Sequence, residues 1–131
     1  MFSNSNGFSL IEFLVALVIM MVGLLGLLQS VNLAINHNLQ NDLRNTAVML
    51  GDEVMAEQMK RGYDNLVVGI QQPYTTSRPV LSAMKNYSVS TTINQVSSGS
   101  NSSRQVTTRI SWQHKNIRYD HGISGVISKM E

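Results

Sequence analysis

The chain has no cysteine, two prolines and a single tryptophan among its 131 residues. Without cysteine there is neither a disulfide staple nor a thiolate metal site. Stability must therefore come from packing, and the compartment stays open because oxidising surroundings permit bridges without requiring them. Charge is also missing over a long stretch. No Lys or Arg precedes Arg44, and up to Leu43 the only charges are Glu12 and Asp42. Between Asn65 and Tyr119 acids are the missing class, while Arg78, Lys85, Arg104, Arg109, Lys115 and Arg118 are present. The net charge of +2 thus hides an almost uncharged amino-terminal part and a basic head. Basic residues spaced this way, without aromatic interleaving, form a solvated face suited to acidic partners, with nucleic acid as the alternative partner.

Reactive constellations are scarce as well. His37, His114 and His121 lack the spacing of a zinc site, and Ser124 lacks the strand-turn-helix setting of a nucleophile elbow. There is no glycine-rich phosphate loop and no acid pair in the head of the kind that hydrolyses sugars. The chain reads as a protein that is not an enzyme and binds no metal or cofactor.

What is present in quantity is apolar length. Residues 8–28 form a run of 21 residues interrupted only by Glu12, about 31 Å as a helix at ~1.5 Å per residue, enough to cross a bilayer core. A secretory signal would have a basic start, a shorter core and a small-residue cleavage step after it, and none of these is present. A carboxylate at this depth is costly unless something neutralises it, so the run reads as an anchor and as a surface prepared for a partner. Gly23 and Gly26, near the far end of the run, weaken the helix and permit close helix approach.

Beyond the run, Leu39, Leu43, Ala47, Leu50, Val54 and Met55 recur at three- and four-residue steps, which predicts an amphipathic continuation that Gly62 ends. Met49, Met55 and Met59 are expected in the core. Gln72-Pro73-Tyr74 and Arg78-Pro79-Val80 read as loop, with Leu66, Val67, Val68 and Ile70 as an apolar patch tucked beneath the head. The pattern then changes to period two. Strands are expected around Tyr87 to Ile93 and Val106 to Trp112, separated by a serine-rich loop from Ser97 to Ser103. A third strand begins at Ile117 and Tyr119, and a fourth carries Ile123, Val126 and Ile127 after a break at His121-Gly122. The expected fold is α+β, a long amino-terminal helix packed against a small antiparallel sheet of about four strands.

The residues Gly7, Phe8, Leu10, Ile11 and Glu12 resemble the amino terminus of the type IV prepilins and pseudopilins. The resemblance implies cleavage between Gly7 and Phe8 by a prepilin peptidase and methyltransferase, N-methylation of Phe8, and a Glu12 that pairs with the new amino terminus of a neighbouring subunit during assembly. It also implies loosening of the helix near Gly23 and Gly26. Leaders of this family usually carry Lys or Arg before the glycine, but residues 1–6 carry none. Orientation therefore comes from the resemblance and not from loop charge.

The run Ala16-Leu17-Val18-Ile19 with Val22-Gly23-Leu24-Leu25-Gly26-Leu27, and the step Ile110-Ser111-Trp112, are similar to the PilV-type minor pilins. The expected organisation is a leader at 1–7, an anchor and assembly helix at 8–28, an amphipathic continuation at 29–61 and a periplasmic or extracellular head at 62–131. The expected role is that of a minor pilin which primes, assembles or modifies a type IV pilus. Its partners would be other minor pilins, the major pilin and an inner-membrane assembly platform. The rival role is a minor pseudopilin of a type II secretion system.

Overall fold

A computed structural model describes residues 9–98 and 101–129. One α-helix, α1 (Leu10–Lys60), is followed by a 3-10 turn (Tyr63–Asn65) and five strands: β1 (Gly69–Ile70), β2 (Tyr74–Val80), β3 (Ala83–Ser98), β4 (Asn101–His114) and β5 (Ile117–Ser128). Two compact units divide at the Asn38–Leu39 step.

In the first unit, α1 buries nothing. Every large apolar side chain from Leu10 to Ile35 is exposed, and the helix is long and apolar enough to cross a membrane. Polar side chains at the end of this stretch turn back on their own backbone. Ser30 Oγ donates to the Gly26 carbonyl at 3.1 Å, and Asn36 Nδ2 to the Asn32 carbonyl at 2.9 Å, which satisfies them without water or a partner.

In the second unit, residues 39–60 of α1 cover one face of the sheet. Leu43, Ala47, Leu50 and Val54 pack with Val80, Tyr87, Val89, Ile110 and Trp112. A second cluster joins Met55 to Leu66, Ile93 and Val106, with Met59, Ile123 and Ile127 beside it. The expected three- and four-residue stripe is the face that is buried. Gly51 lies on it: a β-carbon there would stand 3.6 Å from side-chain atoms of Ile110, His121 and Ile123. Several polar groups within the core are paired. Tyr87 Oη donates to the Leu43 carbonyl at 3.2 Å, the Thr91 and Thr108 hydroxyls meet at 3.3 Å, and buried Gln58 exchanges amide contacts with Gln71. The helix closes on i to i−3 bonds from Arg61 and Gly62, and Gly62 then takes φ 75°, which glycine adopts at no steric cost.

The sheet is antiparallel throughout, in the order β1-β3-β4-β5, with β2 also on β3. It has five strands where about four are expected: β1 and β2 are added, and the third and fourth expected strands merge into β5. The stretch read as loop around Pro73 and Pro79 contains β2, in register Tyr74↔Val89 to Val80↔Ala83. Proline is tolerated there because β2 is flanked by β3 on one side only. The serine-rich loop shrinks, because β3 and β4 pair as far as Ser98↔Asn101. The expected break at His121-Gly122 is absent, and β5 runs through it as one strand of 12 residues. Gly125 within it faces the helix, where a β-carbon would stand 2.5 Å from Met59 Cε.

Two further expectations are corrected. Of the apolar patch after the helix only Leu66 is buried, while Val67, Val68 and Ile70 are exposed, and Met49 lies on the solvent side of α1. Tight turns join β2 to β3 and β4 to β5. Lys115 and Asn116 both have positive φ, as a two-residue hairpin requires, and Leu81 at φ 53° does the same work between β2 and β3.

Candidate functional site

Gly7 and Phe8 lie outside the described residues. Glu12 lies in the first turn of α1, just after Ser9, whose carbonyl accepts from the Phe13 N–H at 3.2 Å. Ser9-Leu10-Ile11-Glu12 has the spacing of a capping box, yet among the described hydrogen bonds neither side chain makes the reciprocal contact. The Glu12 carboxylate is exposed, is flanked by exposed Leu10, Ile11 and Phe13, and has no ion-pair partner among the described residues.

Helix geometry adds what spacing alone did not state. At about 100° per residue, Glu12, Ala16, Ile19, Gly23, Gly26 and Ser30 share one face of α1. Leu14, Leu17, Met21, Leu25 and Leu28 take the other. The carboxylate therefore heads a shallow face of mostly small side chains, and small residues let a second helix approach closely. The helix passes through Gly23 and Gly26 without interruption, and a β-carbon at either would meet nothing within 4 Å.

The basic head is less uniform than its sequence suggests. Arg78 pairs with Glu53 on α1 at 2.6 Å, and Arg109 faces Asp120 at 3.8 Å. Arg104 has a structural post: its Nη1 donates to the carbonyls of Tyr63 and Leu66, and its guanidinium lies 4.2 Å from the centre of the Tyr63 ring. It pins the segment that follows the helix, a role that a charge reading of the sequence could not find. Lys85, Lys115 and Arg118 have no ion pair among the described residues. Burial pushes the Tyr87 phenol above its ordinary range, and burial followed by the carboxylates of Glu57 and Glu53 does the same to Tyr74.

Residues 2–28 match the family model for the prokaryotic N-terminal methylation motif. This match spans the Gly7-Phe8 step, Glu12 and both helix glycines. It indicates a type IV pilin-like or pseudopilin chain, and its family is one of structural subunits and not of enzymes. Together with the long apolar helix it points to membrane anchoring. Comparison with curated proteins and with solved structures gave no match.

Proposed function

We propose that this chain is a minor pilin of the PilV type that takes part in priming, assembling or modifying a type IV pilus. In this reading a prepilin peptidase removes residues 1–7 and Phe8 becomes a methylated amino terminus. Residues 8–28 hold the chain in the inner membrane, the continuation at 29–61 links this anchor to the head, and the head at 62–131 is periplasmic until the subunit is drawn into the fibre by an inner-membrane assembly platform. The partners are other minor pilins and the major pilin, met through the amino-terminal helix.

The observation that carries the reading is the isolated Glu12 carboxylate on an exposed, small-residue face of an apolar helix, within the methylation motif. Cleavage would create an ammonium flush with the same apolar surface. A carboxylate and an ammonium that leave water together recover through pairing part of what each loses in solvation. The loosening assigned to Gly23 and Gly26 belongs to the same step, in which anchors rearrange from lipid to fibre.

The mass of the mature chain tests processing: loss of residues 1–7 with one added methyl group on Phe8 is expected, and an intact leader in cells with active prepilin peptidase would overturn the reading. Glu12→Ala should insert into membrane normally yet drop out of sheared pilus fractions. A minor pseudopilin of a type II secretion system shares the motif. Deletion would then leave secreted enzymes trapped in the periplasm and surface pili unchanged.

A further inference from the structure

The ladder between β3 and β4 ends at Ser88↔Ser111, although both strands continue beyond it. β3 carries on to Ala83 against β2, and β4 to His114 against β5. The sheet therefore forks. One more step of the same register would set Tyr87 directly opposite Trp112, at a separation of about 5 Å between β-carbons. Instead the rings lie 6.1 Å apart and inclined at 48°, and Trp112 stacks on Tyr119 at 5.8 Å. On the inner face the indole thus lies between the two phenols.

Between the prongs is an open cleft of about 420 Å³, lined by Asn86, Ser88, Ser111, Trp112, Gln113 and Arg118. Three features of its lining are unused. First, the inner edges of both prongs have no ladder partner, so alternate residues direct backbone N–H and C=O groups into the gap. Second, Trp112 is only 6% exposed and its Nε1 has no hydrogen-bond partner, whereas a buried indole N–H ordinarily has one. Third, Arg118 has no ion pair among the described residues, and no acid lines the cleft. Ser77 Oγ donates to Asn86 Oδ1 at 2.7 Å, which leaves the Asn86 amide nitrogen as the group still able to donate.

We propose that this fork binds an extended, acidic peptide segment of a partner protein by strand addition. The segment's backbone bonds to the open edges of β3 and β4. Its carboxylate takes Arg118, and one of its oxygens satisfies the Trp112 indole. The β4 prong beyond the ladder is Trp112, Gln113 and His114, so the segment that fits is short. This site lies in the head and does not depend on the fibre reading.

Trp112 is the only tryptophan, so its emission reports on the cleft directly. The full chain in detergent micelles is titrated with a capped pentapeptide of Thr, Val, Glu, Val and Thr. A saturable change in emission is expected. Replacing the peptide's Glu with Lys, or N-methylating its backbone amides, should weaken binding at least tenfold. Arg118→Gln, at an exposed position, should do so as well without lowering the melting temperature. No saturable change with the acidic peptide would overturn the proposal. So would equal binding of the Lys or N-methylated peptide, or the same saturation with acetate or galacturonic acid alone, which would mark a simple carboxylate or sugar site. Should Arg118→Gln fail to fold, the peptide series on the unaltered chain still decides.

Discussion

Residues 10–38 and 39–60 belong to one helix but are subject to opposite demands. The first stretch is apolar on every side as far as Leu28 and buries nothing, with its one acid on a face of mostly small residues. The second hides a single stripe against the sheet and shows polar side chains elsewhere. A helix that is apolar all round needs lipid or other helices as its solvent, whereas one with a single stripe needs one covering layer. Their division of labour is visible in the glycines: a β-carbon at Gly23 or Gly26 would meet open space, and one at Gly51 would stand 3.6 Å from three side chains of the sheet layer.

The largest expected difference comes from truncating a leucine in each stretch. Leu50→Ala, at a side chain 3% exposed, should cost the head about 2–5 kcal/mol. Leu24→Ala, half exposed in the anchor, should leave it within about 0.5 kcal/mol. Denaturant unfolding of the micelle-bound chain, followed by Trp112 emission, checks both, and similar losses at the two sites would erase the distinction. Next in size is Arg104→Ala. Removing a charged donor from two carbonyls should cost about 1.5–3 kcal/mol and speed hydrogen exchange in the segment around Tyr63 and Leu66. Unchanged exchange there would show that Arg104 is only a surface charge.

A gain is expected from Gly51→Ala, since its new methyl meets neighbours at ordinary contact distance. About 1 kcal/mol of helix propensity should appear as a higher melting temperature of the head. Gly26→Ala should leave that temperature unchanged, and an equal rise for both would mean that anchor and head melt as one. The smallest effect is at high pH. Burial raises the folded Tyr87 pKa above the usual value near 10.0, so the unfolded chain releases this proton first. The stability from Tyr87 is constant below about pH 10 and declines as pH rises from there through the folded pKa. Tyr87→Phe should flatten part of that alkaline decline in melting temperature, and an identical slope would remove Tyr87 from the account.

The helix was legible because length and a three- to four-residue period are properties of contiguous sequence, and Gly62 marks its end unambiguously. Strand existence was legible for the same reason wherever Val, Ile and Thr alternate. Pairing was not. Pro73 and Pro79 read as breakers because sequence does not say which strand lies at an edge, and Gly122 read as a break because nothing local shows that it is held extended by pairing with Arg109 on a neighbouring strand. The fork at Trp112 depends on where a ladder between two distant segments stops. Arg104 looked like one more charge because its partners are backbone carbonyls some forty residues away.

The long strand β5 also has a liability. It closes one side of the sheet with nothing beyond it among the described residues, and residues 121–128 contain no Lys, Arg, Asp, Glu or Pro. The opposite side is broken into β1 and β2 and carries Pro79. Edges without a charge or a proline recruit further strands. Heads released from their membrane at high concentration should therefore aggregate from the β5 side first, and a single lysine at Ser124 should be enough to slow the clumping.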